Sequence, residues 1–199
     1  MLLYPRSEKF LWSGVHELEV QRALVDLLRP GMTFWDIGAH AGYFTILASR
    51  LVGPTGVVVA FEPHPVTRQR LEAAVAANER SNVVVLPFAV GAERATCRLY
   101  DAAASAMNSL VRHETAEGVD VKCLRLQDVA APPPSLIKLD VEGVEIEVLR
   151  AASDWLTEKR PRVIAEFASQ EDMAAATSSL ARFQASRIDA RHWLVERRD

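Results

Sequence analysis

The stretch FWDIGAHAGYFT, residues 34–45, decides the fold. The apolar run at 32–37 predicts a buried strand, and the apolar stripe that begins at Phe44 predicts a helix. Asp36 stands at the carboxyl end of the strand, and Gly38 and Gly42 lie in the turn that follows. In open α/β sheets, ligands bind at the carboxyl ends of the strands. The stretch therefore predicts a strand, a ligand-binding loop and a helix, in that order.

The same alternation of strands and helices continues along the chain. Further apolar runs predict strands at 57–62, 83–88, 135–140 and 162–167, and helical patterns lie at 15–29, 63–78, 142–151 and 170–184. Strands separated by single helices are typical of parallel sheets with right-handed crossovers. We therefore predict an α/β fold with a doubly wound, mostly parallel sheet in three Rossmann-like layers. Residues 186–197 are expected to add one or two antiparallel strands.

The chain is expected to have two unequal parts. We predict an N-terminal helical segment over residues 1–30 and one domain over residues 31–199. The middle of this domain departs from the alternation, because TCRLY (96–100) and VDVKCLRL (119–126) have the pattern of short strands. Residues 91–134 are therefore expected to form an inserted strand pair or flap at one edge of the sheet.

Composition excludes several classes of protein. The 199 residues carry a formal net charge of −3, which gives no overall attraction to nucleic acid or to an anionic membrane. No apolar run approaches the ~20 residues of a membrane span, and the N-terminus is a poor signal peptide. Two cysteines, Cys97 and Cys123, do not make a disulfide framework. Together these features predict a cytoplasmic protein.

Two acids at strand ends point to the kind of ligand. The chain lacks the G-x-G-x-x-G fingerprint of dinucleotide binding, and Asp36 would repel a diphosphate. Asp36 suits the cationic amino-acid end of S-adenosylmethionine better. Glu62 ends the next strand, where a carboxylate can accept hydrogen bonds from ribose hydroxyls. Both NAD and S-adenosylmethionine carry such a ribose, so Glu62 alone does not distinguish them.

Four segments together resemble the FkbM-type methyltransferases. They are FWDIGAHAGYFT (34–45), VVAFEPHP (58–65), PFAVG (87–91) and LIKLDVEGVEIEVLRAA (136–152), and IKLDVEGVE is the most specific part. The resemblance covers roughly residues 14–167. It implies a class I methyltransferase fold, S-adenosylmethionine as cofactor and methyl transfer to a hydroxyl oxygen of a saccharide or a natural product.

The resemblance also implies which residues bind the cofactor. Asp36, Gly38 and Gly42 would line its methionine part, and Glu62 would hold its ribose. Glu17 would reach the amino group. The full implied set is Glu17, Asp36, Gly38, Ala39, His40, Gly42, Tyr43, Glu62, Pro63, Phe88, Ala89, Val90 and Asp140, with residues 88–90 near the adenine. One residue departs from the family pattern, because His40 stands where the family usually has Asn.

The candidate catalytic residues are Lys138, Asp140 and Glu142, which follow one another at two-residue spacing. Lys138 and Asp140 are expected on one side of a strand, and Glu142 at the start of the next helix. A sugar hydroxyl has a high pKa, so methyl transfer requires a base or a metal to remove its proton. In one mechanism the base is Asp140 or a histidine, with His113 the best mobile candidate, and Lys138 tunes the charge.

Two alternatives to that base remain open. Asp140, Glu142 and Glu166 could bind a magnesium-type cation through their oxygens, although we do not predict a metal site. Asp140 could instead only cap the helix, with Glu142 complementing its dipole. Glu145 is expected to be a solvated helix residue or an ion-pair partner, and His192 to be structural.

The leading functional hypothesis is an O-methyltransferase whose acceptor is a small molecule or a saccharide. A non-catalytic cofactor-binding module of an assembly and a methyltransferase with another acceptor atom are the alternatives. The absent third glycine and the acid at Asp36 argue against a nicotinamide-dependent dehydrogenase. No basic stripe suggests a nucleic-acid partner. The sequence leaves the oligomeric state open, and a dimer is compatible with it.

Overall fold

The computed structural model describes residues 17–100, 118–141, 143–178, 180 and 182–198. Its helices are α1 (Leu18–Leu27), α2 (Tyr43–Val52), α3 (Pro65–Ala77), α4 (Glu145–Ala151), α5 (Ser153–Lys159) and α6 (Gln170–Ser178). Its strands are β1 (Thr33–Ile37), β2 (Val57–Phe61), β3 (Val83–Leu86), β4 (Ala89–Val90), β5 (Ala95–Tyr100), β6 (Gly118–Leu124), β7 (Leu136–Leu139), β8 (Arg162–Glu166), β9 (Phe183–Arg187) and β10 (His192–Arg197). No helix in these ranges is long and apolar enough to cross a membrane.

The main sheet has seven strands in the order β3-β2-β1-β7-β8-β10-β9. The first five run parallel, and β10 is antiparallel to both of its neighbours. The fold class is therefore confirmed, as is the antiparallel closure by the C-terminal segment. The strand order reverses between β1 and β7, which places the expected ligand site at the carboxyl ends of these two strands.

Helices cover both faces of the sheet because its strands are apolar on both sides. On one face, Phe34 and Val58 pack against Val20 of α1 and Phe44 of α2. On the other face, Trp35 belongs to a larger core that includes residues of α4, α5 and α6. Trp35 also stacks on Trp155 at a centroid distance of 5.6 Å and donates an Nε1–H bond to the backbone oxygen of Pro132.

A second, small sheet lies in the middle of the chain. Its order is β4-β6-β5, with β4 parallel and β5 antiparallel to β6. The β5 and β6 strands coincide with the two segments whose pattern predicted short strands. Leu99, Val121 and Cys123 give this sheet a small apolar cluster of its own. The division of the chain at residue 30 stays a prediction.

Two predicted helices have different bounds in the structure. The helix expected at 142–151 begins only at Glu145, because Gly143 has a φ of +100°, which the helix cannot continue through. The helix expected at 170–184 ends at Ser178. From Phe183 the chain instead pairs with β10, and the Phe183 side chain is buried in the larger core. Burial and strand pairing override the local helical pattern there.

Candidate functional site

The loop after β1 packs against both neighbouring strands. The backbone N–H groups of Gly38 and Ala39 both donate to the oxygen of Phe61, at 3.1 and 3.0 Å. Gly38 has a φ of +79°, and a β-carbon there would overlap with the backbone oxygen of Asp140. Only glycine meets both conditions without strain. The absence of a side chain thus brings the β1 loop into contact with the β7 loop.

Gly42 closes this loop at the start of α2. It has a φ of +91°, and a β-carbon would lie 2.6 Å from Leu71 Cδ1 on α3. Glycine therefore allows α3 to pack closely on the loop. The next residue, Tyr43, is half-buried and meets the Phe44 ring edge-on at a centroid distance of 5.2 Å. Burial raises the pKa of the Tyr43 hydroxyl.

Asp36 is a buried carboxylate at the end of β1. Its Oδ2 accepts a hydrogen bond from Thr45 Oγ1 at 2.5 Å, while its Oδ1 has no hydrogen-bond partner among the residues that the structure describes. Burial raises the pKa of Asp36, although the nearby Lys138 opposes this shift. An orphaned buried carboxylate oxygen is costly, and a cationic ligand group would compensate that cost.

Lys138 and Asp140 form an ion pair beside Asp36. Lys138 Nζ lies 2.7 Å from Asp140 Oδ2 and 5.1 Å from the centroid of the Phe44 ring. The register of β1 and β7 sets Asp36 opposite Lys138. Burial would lower the pKa of Lys138, but Asp140 and Asp36 outweigh it and raise that pKa. Burial likewise opposes ionisation of Asp140, yet Lys138 holds its pKa below the usual value.

This ion pair corrects one interpretation of the sequence. The N-terminal cap residue of α4 is Val144, whose side chain makes no capping hydrogen bond. The Asp140 carboxylate points to Lys138 instead, so the capping role considered for Asp140 is wrong. The predicted alignment of Lys138 and Asp140 agrees with the contact between them. Glu142 and His113, the other two candidate catalytic residues, lie outside the described residues.

Glu62 follows β2 and binds two backbone N–H groups. His40 donates to its Oε2 and His64 donates to its Oε1, each at 2.9 Å. Burial raises the pKa of Glu62 to about 7, despite these hydrogen bonds. Each carboxylate oxygen retains a lone pair, because an ionised carboxylate offers about four acceptor positions. The neighbouring Pro63 is half-buried, and His64 caps α3 through its Nδ1.

The position of His40, which departs from the family pattern, is defined in the structure by its backbone. Its φ is +47°, in the left-handed region where Asn, Asp and His are enriched among residues with a side chain. The group that bonds to Glu62 is the backbone N–H of His40, which any residue other than proline supplies. The hydrogen bond to Glu62 therefore does not depend on an Asn side chain at this position.

The three residues expected near the adenine differ in exposure. Phe88 is half-buried and precedes β4, while Ala89 and Val90 are buried within that strand. Ala89 and Val90 pair with Cys123 and Leu124 of β6. Of the three side chains, that of Phe88 is therefore the one that a ligand could still contact.

Glu145 is a residue whose role the sequence analysis missed. It is buried, and its two carboxylate oxygens accept hydrogen bonds from the N–H groups of Val141 and Gly143 at 2.9 and 3.0 Å. Burial raises the pKa of Glu145. The expectation of a solvated side chain was wrong, because Glu145 holds the turn that carries Asp140. An acid just after a glycine and at a helix start was the available signal.

A second missed group surrounds His192 at the start of β10. Its Nδ1 lies 2.9 Å from Asp189 Oδ2, and its Nε2 lies 3.5 Å from Glu17 Oε2. In the β8–β10 register His192 is opposite Glu166, whose carboxylate forms an ion pair with Arg191. Asp189 is local to His192, but Glu17 comes from a distant segment, so no local sequence signal announces the contact with Glu17.

Two of the three carboxylates considered for a magnesium-type cation, Asp140 and Glu166, lie in the described part of the chain. Asp140 pairs with Lys138 and Glu166 pairs with Arg191, so both carboxylates already contact cationic groups. Within the described ranges, no group of three His, Cys, Asp or Glu side chains is placed to hold a metal ion.

Comparison with solved structures supports the fold. A methyltransferase FkbM from Methylobacillus flagellatus KT superposes with a TM-score of 0.61 at 16% identity, over 88% of this chain and 50% of that one. Aeropyrum pernix fibrillarin, solved with natively bound S-adenosyl-L-methionine, superposes with a TM-score of 0.55 at 11% identity, over 86% of this chain and 68% of that one. At these identities the likeness shows the fold alone.

Sequence comparison identifies the family. The hexuronic acid methyltransferase AglP of Haloferax volcanii is 26% identical over 145 residues, which cover 70% of this chain and 58% of that protein. The chain thus spans little more than half the length of this relative. The family model described as the methyltransferase FkbM domain matches residues 36–190. Because this match covers more than half of its residues, the chain belongs to the FkbM methyltransferase family.

Proposed function

We propose that this protein is an S-adenosylmethionine-dependent methyltransferase that methylates a hydroxyl group of a saccharide or another small molecule. The observation that carries the proposal is the buried Asp36 carboxylate, whose Oδ1 has no hydrogen-bond partner among the described residues. It stands at the strand end beside the glycine loop, where open α/β sheets bind ligands. A cationic amino-acid group would satisfy this oxygen, whereas a diphosphate would be repelled.

The residues present fit the cofactor. Asp36 would hold its amino-acid end, and the close approach of Gly38 to the β7 loop leaves no side chain in the way. Glu62, held by two backbone N–H groups, would accept the ribose hydroxyls through its remaining lone pairs. Phe88 would contact the adenine. When bound, the cofactor supplies an electrophilic methyl group on a sulfonium.

Asp140 is the described residue best placed to handle the acceptor hydroxyl. It lies next to the glycine loop at the strand-order reversal and is held by the Glu145 turn. Its pairing with Lys138 keeps it ionised, so it accepts a hydrogen bond well but is a weak base. We infer that Asp140 orients the hydroxyl and takes its proton only as the new bond forms, when that proton becomes acidic. Lys138 limits the basicity of Asp140.

The acceptor class rests on similarity and on chemistry. AglP is a hexuronic acid methyltransferase, and its distant likeness favours a sugar as the acceptor. The magnesium mechanism is less favoured, because two of its three candidate ligands already pair with cationic side chains.

The first experiment is a calorimetric titration of the purified protein with S-adenosylhomocysteine, and with NADH in parallel. We expect micromolar binding of the first and none of the second. Asp36→Asn should weaken S-adenosylhomocysteine binding by about tenfold or more, as loss of a charge-assisted contact does. Asp26→Asn is the matched control, because Asp26 is an exposed acid on α1. Binding of NADH alone would refute the role of Asp36.

Turnover is then measured with hydroxylated acceptors, hexuronic acids among them, in magnesium and in a chelator. Asp140→Asn should abolish methyl transfer while S-adenosylhomocysteine affinity stays within about threefold of the wild type. Full activity of that variant would remove Asp140 from its proposed role. Cofactor binding without transfer to any acceptor would favour the non-catalytic module.

A further inference from the structure

His192 links two carboxylates that come from opposite ends of the described chain. Asp189 precedes β10, and its Oδ1 accepts the backbone N–H groups of Arg191 and His192, each at 2.8 Å. The same carboxylate lies 2.9 Å from His192 Nδ1. Because the backbone fixes Asp189, the imidazole ring that it contacts has one preferred orientation.

The other side of the ring faces Glu17. His192 is 4% exposed, and its Nε2 lies 3.5 Å from Glu17 Oε2. This distance is that of an ion pair, longer than the usual hydrogen bond between such atoms. Glu17 itself has a φ of +46°, which disfavours residues with a β-carbon. Contacts beyond the backbone therefore have to hold Glu17 in this position, and His192 supplies one.

Glu17 interacts electrostatically with residues of the candidate cofactor site. Burial raises the pKa of Asp36, and the negative charge of Glu17 adds to that shift. The same charge helps to raise the pKa of Lys138 against the effect of burial. His192 is within range of Asp140, whose pKa it helps to lower. Glu17 therefore acts on Asp36 and on Lys138, the two buried groups at the ends of β1 and β7.

We propose that Asp189 and His192 are positioning residues that hold the Glu17 carboxylate toward the amino group of the cofactor. The inference rests on the proposed function, because it assumes a cofactor with a cationic amino-acid end. Asp189 orients the ring through Nδ1, and Nε2 fixes Glu17. Loss of His192 would let Glu17 rotate away, and the amino group would lose one of its carboxylate partners.

Two nucleosides separate this role from a merely structural one. S-adenosylhomocysteine carries the amino-acid part, whereas 5′-methylthioadenosine carries the same adenosine without it. His192→Leu should weaken S-adenosylhomocysteine binding about tenfold, the effect of losing one charge-assisted contact, and leave 5′-methylthioadenosine binding within about twofold. His192→Gln places an N–H near the Nε2 position and should recover most of the lost affinity. Glu196→Gln, on the same strand, is the control and should bind both nucleosides normally.

Binding of 5′-methylthioadenosine also reports that each variant is folded. Equal weakening of both nucleosides in His192→Leu would overturn the inference, as would unchanged binding of both. A His192→Gln variant as weak as His192→Leu toward S-adenosylhomocysteine would contradict it as well. If the wild-type protein binds neither nucleoside, the proposed function fails, and the inference with it. If the wild-type protein binds both nucleosides and the variants give one of these contrary results, only the inference fails.

Discussion

Gly38 and the backbone oxygen of Asp140 lie so close that a β-carbon on Gly38 would overlap with that oxygen. The two residues follow β1 and β7, the adjacent strands between which the strand order of the sheet reverses. Their contact joins the glycine loop to the acid that we assign to the acceptor hydroxyl. The cofactor loop and the acceptor side of the site therefore share one backbone contact.

Gly38→Ala should destabilise the protein by more than its backbone conformation alone explains. A residue with a β-carbon at positive φ costs about 1–2 kcal/mol, and the overlap with Asp140 adds to that cost. Gly31→Ala is the matched control, because Gly31 has a φ of +84° and its β-carbon would meet only Thr55 Oγ1 at 3.8 Å. Denaturant unfolding should show the larger loss for Gly38→Ala. Equal losses of unfolding free energy in the two variants would mean that the loop after β7 moves away from the added β-carbon at no energetic cost.

Lys138→Met should lower the free energy of unfolding by about 3 kcal/mol, because it leaves Asp140 and Asp36 without their shared cation. The double variant Lys138→Met/Asp140→Asn should recover part of this loss, since it removes one of the stranded charges. Lys159→Met serves as the control. Lys159 and Glu158 form an exposed pair, and such pairs contribute less than about 1 kcal/mol. A double variant no more stable than Lys138→Met would argue against the coupling.

Glu145→Gln should cost about 1–2 kcal/mol of stability, because an amide oxygen can replace only one of the two acceptors that bind the N–H groups of Val141 and Gly143. Methyl transfer should fall with it, since this turn follows Asp140. Glu147 is exposed on the same helix, and the unfolding free energy of Glu147→Gln should stay within about 0.5 kcal/mol of the wild-type value. The comparison is made by denaturant unfolding and by turnover. A turnover loss in Glu147→Gln as large as that in Glu145→Gln would contradict the assignment.

Cofactor binding should weaken as the pH falls through about 7, the raised pKa of Glu62. The ionised carboxylate accepts the ribose hydrogen bonds, so protonation competes with binding, and affinity for S-adenosylhomocysteine should drop about tenfold between about pH 8 and about pH 6. Glu62→Gln should bind weakly and with a flatter pH profile. Calorimetry across this range makes the test. The same slope in Glu62→Gln would assign the titration to another group, such as Asp36.

The fold was predictable because its signals are local. The run before Asp36 and the run before Glu62 each predict a strand, and both acids end up beside the same glycine loop. Gly38 and Gly42 were recognisable because a turn at positive φ excludes most other residues. The bounds of α4 and α6 were less predictable. They depend on the Gly143 turn and on the pairing of β9 with β10, which no single segment encodes.

The site was predictable only where one segment contains both partners. Lys138 lies on β7 and Asp140 directly follows this strand, two residues on from Lys138, so a strand pattern alone predicts that their side chains share one side. Glu145 was misjudged because its partners are backbone N–H groups, and the one local signal, an acid after a glycine at a helix start, does not identify those partners. His192 was set aside as structural for a related reason, since Glu17 approaches it only after α1 packs on the sheet.

The sequence by itself determined the alternating strands and helices, the acids at the ends of β1 and β2, and the glycines between them. Each of these follows from local periodicity or from the backbone freedom of one residue. Only the tertiary structure decided which distant charges meet, including the orphaned oxygen of Asp36, the placement of Lys138 opposite Asp36 and the contact of His192 with Glu17. Electrostatic interaction depends on distance and burial, and both are set when separate segments pack together.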